Sequence, residues 1–262
     1  MAIYRHLAEA EAQGTPVALA MVIGSQGSTP RHVGSKMLVY ADGRIDGSVG
    51  GGEMESRVVE EARAALQDGR PRRLQYGLVD PARGDVGVCG GQVEVYVEPI
   101  LPRPEVIVIG GGHVGNAVVH LAHWLDFRVV VADDRPEFCT PEANPEADAF
   151  VVGLVNELPN QVAIAPWSYL VLTTRGSDVD VCGLPALLAS QAAYIGVIGS
   201  KRRWSITRKG LLEAGVSPEA LERIHTPIGL EIRAETPEEI AVSILAEIIQ
   251  IRNSQPNEKM NR

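Results

Sequence analysis

The strand-length run Glu105-Val106-Ile107-Val108-Ile109 passes directly into Gly110-Gly111-Gly112-His113-Val114-Gly115, then into a helical stretch from Asn116 to Leu125 and a second apolar run from Arg128 to Ala132. Few structures accommodate that order. A run apolar on both sides reads as a strand buried on both faces, and a strand, tight turn, helix and second such strand make a βαβ unit. The glycines serve different physical needs. Gly110 permits the tight turn, Gly112 lets main-chain amides approach a diphosphate at the helix N-terminus, and Gly115 lets helix and strand pack closely. Further strand-like runs at Ala149 to Val152, Tyr169 to Thr173 and Tyr194 to Ile198 alternate with helical stretches. The expected fold of this half is a Rossmann-like, doubly wound parallel sheet. Asp133, ending the second strand, is placed to accept hydrogen bonds from ribose hydroxyls. The same glycines would also shape a turn that holds no nucleotide, so the motif supports the fold more than the ligand.

The first hundred residues read differently. A short amphipathic helix from Tyr4 to Gln13 precedes a strand from Pro16 to Ile23, a polar stretch from Gly24 to Arg31, and a hairpin built on Lys36 to Tyr40 with the turn Ala41-Asp42-Gly43-Arg44. Gly47 to Glu53 opens a helix from Met54 to Asp68, and the alternation Val93, Val95, Val97 marks a strand with one face on a core. Pro102 and Pro104 then suit a stiff connector. We therefore expect an α/β chain of two domains, 1–101 and 104–252, with a polar tail, 253–262, expected to be disordered. Thr236-Pro237-Glu238-Glu239 carries the start signals of a last helix reaching about Ile251: a capping threonine, a proline at the first helical position and a glutamate three residues after the cap.

Composition removes several function classes. A formal charge of -9, a pI near 5.2 and 5% aromatics disfavour a nucleic-acid surface or an anionic membrane as partner. Cys89, Cys139 and Cys182 are odd in number and far apart, which fits a reducing compartment rather than a disulfide framework. With no signal-peptide pattern at Met1 to His6 and no run long enough to cross a bilayer, the expected location is cytoplasmic. HExxH, Walker and Gly-x-Ser-x-Gly patterns are absent.

Three clusters have the chemistry to hold an anion or a polar cofactor. Ser28, Thr29 and Arg31, with Gly51 and Gly52, offer hydroxyls, a guanidinium and exposed amides, although ordinary tight turns look similar. Ser200, Lys201 and Arg202, followed by Arg203, open a helix with positive charge; the dipole disfavours this, so either an anion is held there or the turn is a solvated one paired with carboxylates. His113 sits inside the glycine turn, where it could approach a phosphate or a metal, but a lone histidine is more often packed or solvated. Cys89 precedes Gly90-Gly91, so its thiol could reach a bulky ligand or accept sulfur from a donor; a small buried cysteine is the commoner fate.

These segments together resemble the XdhC/CoxI family of accessory proteins for molybdenum hydroxylases. The blocks that carry the resemblance are Gly27 to Arg31, Gly34 to Val39, Gly47 to Gly52, Cys89 to Val95, Gly110 to Gly115, Asp133 to Pro136, Tyr194 to Ser200 and His225 to Leu230. The resemblance implies a protein that binds molybdenum cofactor (molybdopterin), aids its sulfuration with a cysteine desulfurase, and delivers it to a hydroxylase such as xanthine dehydrogenase, with Cys89 at the molybdenum or sulfur end. Where the family commonly has a histidine after Thr-Arg-Gly, this chain has Ser177, which cannot act as an imidazole base or ligand, while Asp180 keeps the expected acidic position. An NAD(P)-dependent oxidoreductase and a docking scaffold remain as rival readings, and homodimerisation is left open.

Overall fold

The computed structural model describes residues 2–78 and 90–254. The chain divides into two compact units, Met1–Pro102 and Arg103–Arg262.

The first unit is built on an antiparallel sheet in the order β3-β2-β1-β5-β4, where β1 is Val17–Gln26, β2 Lys36–Tyr40, β3 Ile45–Gly47, β4 Arg72–Gly77 and β5 Gln92–Ile100. Side-chain alternation along β1 sends Ala18, Ala20 and Val22 to one face, where Met54, Val58, Ala62 and Ala65 of α2 (Gly52–Asp68) pack on them. Val17, with Leu38, Tyr40 and Ile100, faces α1 (Ala2–Ala12) on the other side. Removing such side chains from water stabilises the layers by roughly 1.5–3 kcal/mol for each large aliphatic. β1 runs three residues past the expected end at Ile23, and its register with β5 shifts between Val22 and Gly24. β4 is a strand that the sequence barely announces: Arg72-Arg73-Leu74-Gln75-Tyr76-Gly77 has only Leu74 and Tyr76 as an apolar alternation and is defined by its ladder with β5.

The second unit has an all-parallel sheet in the order β11-β10-β9-β6-β7-β8. Its strands are β6 (Glu105–Ile109), β7 (Arg128–Asp133), β8 (Ala149–Val152), β9 (Ser168–Leu172), β10 (Tyr194–Val197) and β11 (Ile224–His225). Chain order therefore starts in the middle, at β6, runs outward through β7 and β8, then crosses back to β9, β10 and β11; this is the doubly wound order of Rossmann sheets. Val106 and Val108 point into a core closed by α3 (His113–Trp124) and α8 (Pro237–Ser254). Ile107 and Ile109 point the other way, toward α5 (Ser177–Leu188) and α6 (Lys201–Glu213). Two one-turn helices, α4 (Leu158–Gln161) and α7 (Pro218–Leu221), complete the unit.

The start of α8 has the reciprocal capping its sequence announces: Thr236 Oγ1 accepts from the Glu239 amide at 3.2 Å, and Glu239 Oε2 accepts from the amides of Thr236 and Glu235 at 3.1 and 2.8 Å. α8 continues beyond Ile251 through Asn253 and Ser254, so the tail expected from 253 begins inside the helix; 255–262 lie outside the described residues. No described helix is long and apolar enough to cross a membrane.

Candidate functional site

In the first unit the sheet ends where β1 and β5 meet at Gln26 and Gln92. There the segment after β1 and the residues after Cys89 come together at backbone distance. A Cβ on Gly91 would lie 2.5 Å from the Ser28 carbonyl oxygen, and one on Gly27, whose φ is +73°, would lie 2.9 Å from that of Gly90. Only glycine permits this approach. Ser28 and Arg31 are exposed, Thr29 is half-buried with its hydroxyl donating to the Arg31 carbonyl at 3.0 Å, and the Arg31 guanidinium has no partner among the described residues. Cys89 itself lies outside the described residues. A polar cleft of about 420 Å³ adjoins this end, lined by Gln26, Gln75, Gly77, Gln92 and Glu94. Arg73 pairs with Glu94, and that hydrogen bond, with a second from Gln75, holds the Glu94 carboxyl below its ordinary value.

The glycine loop before α2 is arranged otherwise than its sequence suggested. Glu55, four residues into that helix, turns back so that its Oε2 accepts from the Ser48 hydroxyl at 2.6 Å and from the amides of Val49 and Gly51 at 3.2 Å each. The Gly51 amide is thus satisfied by the chain's own carboxylate. Gly52 keeps open space around it.

In the second unit the three fingerprint glycines have distinct surroundings. Gly110 has φ +110°, and Gly115 presses on it so closely that a Cβ there would sit 1.9 Å from the Gly110 carbonyl oxygen; Gly112 has nothing within 4 Å. Gly110 and Gly115 are demanded by the turn and its packing, whereas Gly112 has room for a side chain. His113 is exposed at the start of α3 and lines a cleft of about 500 Å³ with Gly112, Asn116, Phe138 and Glu238. Asp133 does not present an open carboxylate to that turn: its side chain is 2% exposed and accepts from the amides of Gly111 and Arg135 at 3.0 Å and from the Arg135 guanidinium at 2.9 Å. A ribose would have to displace Arg135 to reach it.

Beyond β9 a buried network ties two loops together. Asp180, fully buried, accepts from Thr174 and from Arg203 Nη2 at 2.7 Å, while Arg203 also donates to the carbonyls of Thr174 and Gly176 at 2.9 and 3.2 Å. Arg203, the third cation of the basic turn, therefore points inward. Lys201 and Arg202 are exposed, and the Ser200 hydroxyl caps α6 by accepting from the Arg203 amide at 3.3 Å. Ser177 opens α5. Next to this network, Arg175 grips Asp134 through two hydrogen bonds of 2.6 and 2.7 Å. The Arg175 guanidinium, against a smaller opposing effect of burial, holds the Asp134 carboxyl down to about 2.

The block His225 to Leu230 folds around Glu247 of α8. That carboxylate accepts from the Tyr194 hydroxyl and from the Gly229 amide at 2.9 Å, and faces His225 Nδ1 at 3.5 Å. Burial disfavours its charge, but the hydrogen bonds from His225, Tyr194 and Gly229 prevail and hold it below its ordinary value. Spacing alone gives no role to Glu55, Arg135, Arg175, Arg203 or Glu247; the available signals were the basic turn at the start of α6 and the acidic position of Asp180.

Residues 106–248 match the model of the XdhC Rossmann domain, and residues 10–77 that of the XdhC and CoxI family. The chain is 36% identical over 258 residues to the uncharacterised protein YqeB of Escherichia coli strain K12, covering 98% of this chain and 47% of that protein, so it spans about half of YqeB's length. It is 24% identical to the molybdenum cofactor insertion chaperone PaoD of the same organism, over 95% of this chain and 88% of PaoD. A solved structure described as a xanthine dehydrogenase from Bacillus halodurans superposes with a TM-score of 0.53 at 25% identity, covering 98% of this chain and 97% of that one.

Proposed function

Because the chain belongs to the XdhC and CoxI family, we propose that it is a maturation factor that takes molybdenum cofactor as cargo and delivers it to a molybdenum hydroxylase of the xanthine dehydrogenase kind. The observation that carries the reading is the convergence, at one end of the β1–β5 ladder, of Gly27, Ser28 and Thr29 with Gly90-Gly91, beside a polar cleft of about 420 Å³. Those residues fit the cargo. A pterin presents an amino-oxo edge, which calls for paired donors and acceptors, and Gln26, Gln75, Gln92 and Glu94 supply both. Its phosphate calls for a cation, and Arg31 is uncommitted among the described residues. Cys89, immediately before Gly90, is the residue for the molybdenum or sulfur end, where it would assist sulfuration with a cysteine desulfurase as donor. The name of PaoD supports the same role.

The test is molybdenum and pterin content of the purified chain after co-expression with an active cofactor pathway. Stoichiometric cofactor in the wild type, reduced in Cys89→Ala and in Gln75→Ala with Gln92→Ala, is the expected result. No cofactor in the wild type, where a control carrier loads, removes the reading.

A further inference from the structure

The solvent face of α6 takes no part in the cargo reading. Spacing along this helix puts Lys201, Ser205 and Arg208 in one stripe and Arg202, Ile206 and Lys209 in the next, both turned away from the buried Thr207 and Leu211. All of these stripe residues are exposed, Ile206 to 56%. Four cations therefore flank one aliphatic side chain. The helix holds a single carboxylate, Glu213 in its last turn, which lies 3.7 Å from Lys209. Lys201, Arg202 and Arg208 have no ion pair among the described residues.

Other helices match cations within themselves: Arg5 pairs with Glu9 on α1, and Arg57 with Glu53 on α2. On α6 the like charges share one face, and Lys201 and Arg202 stand in the first turn, where the helix dipole disfavours them and no acidic residue offsets it. An anion arriving from outside relieves both. Size selects which anion. The helix is about 20 Å long, and the chain that carries it has a formal charge of -9. A nucleic-acid duplex or a bilayer laid on α6 extends past it onto a surface that is acidic in sum, while screening over about 8–10 Å confines the attraction to the patch itself. A short acidic stretch of polypeptide stays within the patch, and one aliphatic side chain in it can cover Ile206 and leave the cations as a rim.

We propose that the solvent face of α6 docks an acidic segment of a partner protein, whose carboxylates meet Lys201, Arg202, Arg208 and Lys209 and whose aliphatic side chain seats on Ile206. The surface is independent of the pterin reading, since it lies wholly in the second unit and needs no cofactor in the first.

The test is fluorescence anisotropy of a labelled peptide of about ten residues, Asp and Glu around one central leucine, titrated with the cofactor-free full chain at low ionic strength. The expected result is saturable binding that weakens about tenfold when Arg202→Gln and Arg208→Gln are combined. Arg5→Gln combined with Arg57→Gln removes the same charge from the first unit and leaves binding unchanged. Ile206→Ala weakens it about threefold, and a peptide with alanine in place of leucine loses affinity for wild type but not for Ile206→Ala. Every substituted side chain here is at the surface, so the fold is not at stake. Absence of saturable binding, equal weakening by the two charge pairs, or indifference to the leucine overturns the proposal. So does tighter binding of oligo-dT or of phosphatidylserine vesicles than of the peptide by the same face, which assigns α6 to that anion instead.

Discussion

Replacing Arg203 by alanine tests the internal network of the second unit. Asp180 is fully buried, and among the described residues its side chain has, besides Thr174, only Arg203 as partner, through Nε and Nη2 at 3.2 and 2.7 Å. Removing the guanidinium strands a carboxylate away from water and also leaves the carbonyls of Thr174 and Gly176 short of a donor. Breaking a buried pair in this way costs about 3–5 kcal/mol, and since the Arg203 side chain is itself 22% exposed, some water can enter, which places the expectation near 3 kcal/mol. For a unit of this size that lowers the midpoint of unfolding by about 6–12 °C. The assay is intrinsic: Trp124, Trp167 and Trp204 are the chain's three tryptophans and all lie in the second unit, so their emission follows that unit alone. Combining Arg203→Met with Asp180→Asn removes the charge as well as its partner, and the double variant should recover about 1–2 kcal/mol relative to Arg203→Ala. A loss below about 1 kcal/mol, or a double variant no better than the single, would refute the reasoning.

Thr236→Ala should cost about 1 kcal/mol by opening the capping box of α8, read in the same emission melts. The amides of Glu235 and Thr236 hold the Glu239 carboxyl below its ordinary value, so its share of helix stability is present above the unfolded value and lost as pH falls; the gap between wild type and Glu239→Ala should narrow in acid. Gly115→Ala forces a Cβ onto the Gly110 carbonyl and should destabilise by several kcal/mol or abolish folding, whereas Gly112→Ala, with open space around it, should leave the melting midpoint within about 1–2 °C of wild type. Equal effects at the two glycines would contradict the packing. Cys139 is buried and its thiol is pushed up by that burial, while Cys182 is exposed, so alkylation of the native protein followed by mass spectrometry should mark Cys182 long before Cys139.

Legibility in the sequence followed periodicity. The βαβ unit around Gly110 and the capping of α8 were readable because each is local: a fixed spacing of glycines between apolar runs, and a threonine three residues ahead of a glutamate. β4 was not, since Arg72, Arg73 and Gln75 disguise an edge strand whose identity comes from its partner. The candidate site divided in the same way. Glycines that serve a turn can be recognised, but whether their amides remain open depends on residues elsewhere. Glu55 occupies the Gly51 amide and Arg135 occupies Asp133 because side chains fold back on the loop, and nothing in the spacing specifies those rotamers. Of the two readings left open for the basic turn at Lys201, pairing with a carboxylate holds for Arg203, but spacing could not name its partner, since Asp180 lies more than twenty residues away.

The outer strands of the two sheets bear on how such a chain survives at high concentration. β3 and β11 have three and two residues, β8 has four, and the longer β4 carries Arg72 and Arg73 at its start. A foreign strand seeking to extend either sheet finds a template too short to hold it or one that must bring another chain against two guanidiniums. Amyloid-like propagation from the native state is thereby discouraged, and any assembly this protein enters should form through side-chain surfaces rather than by lengthening a ladder.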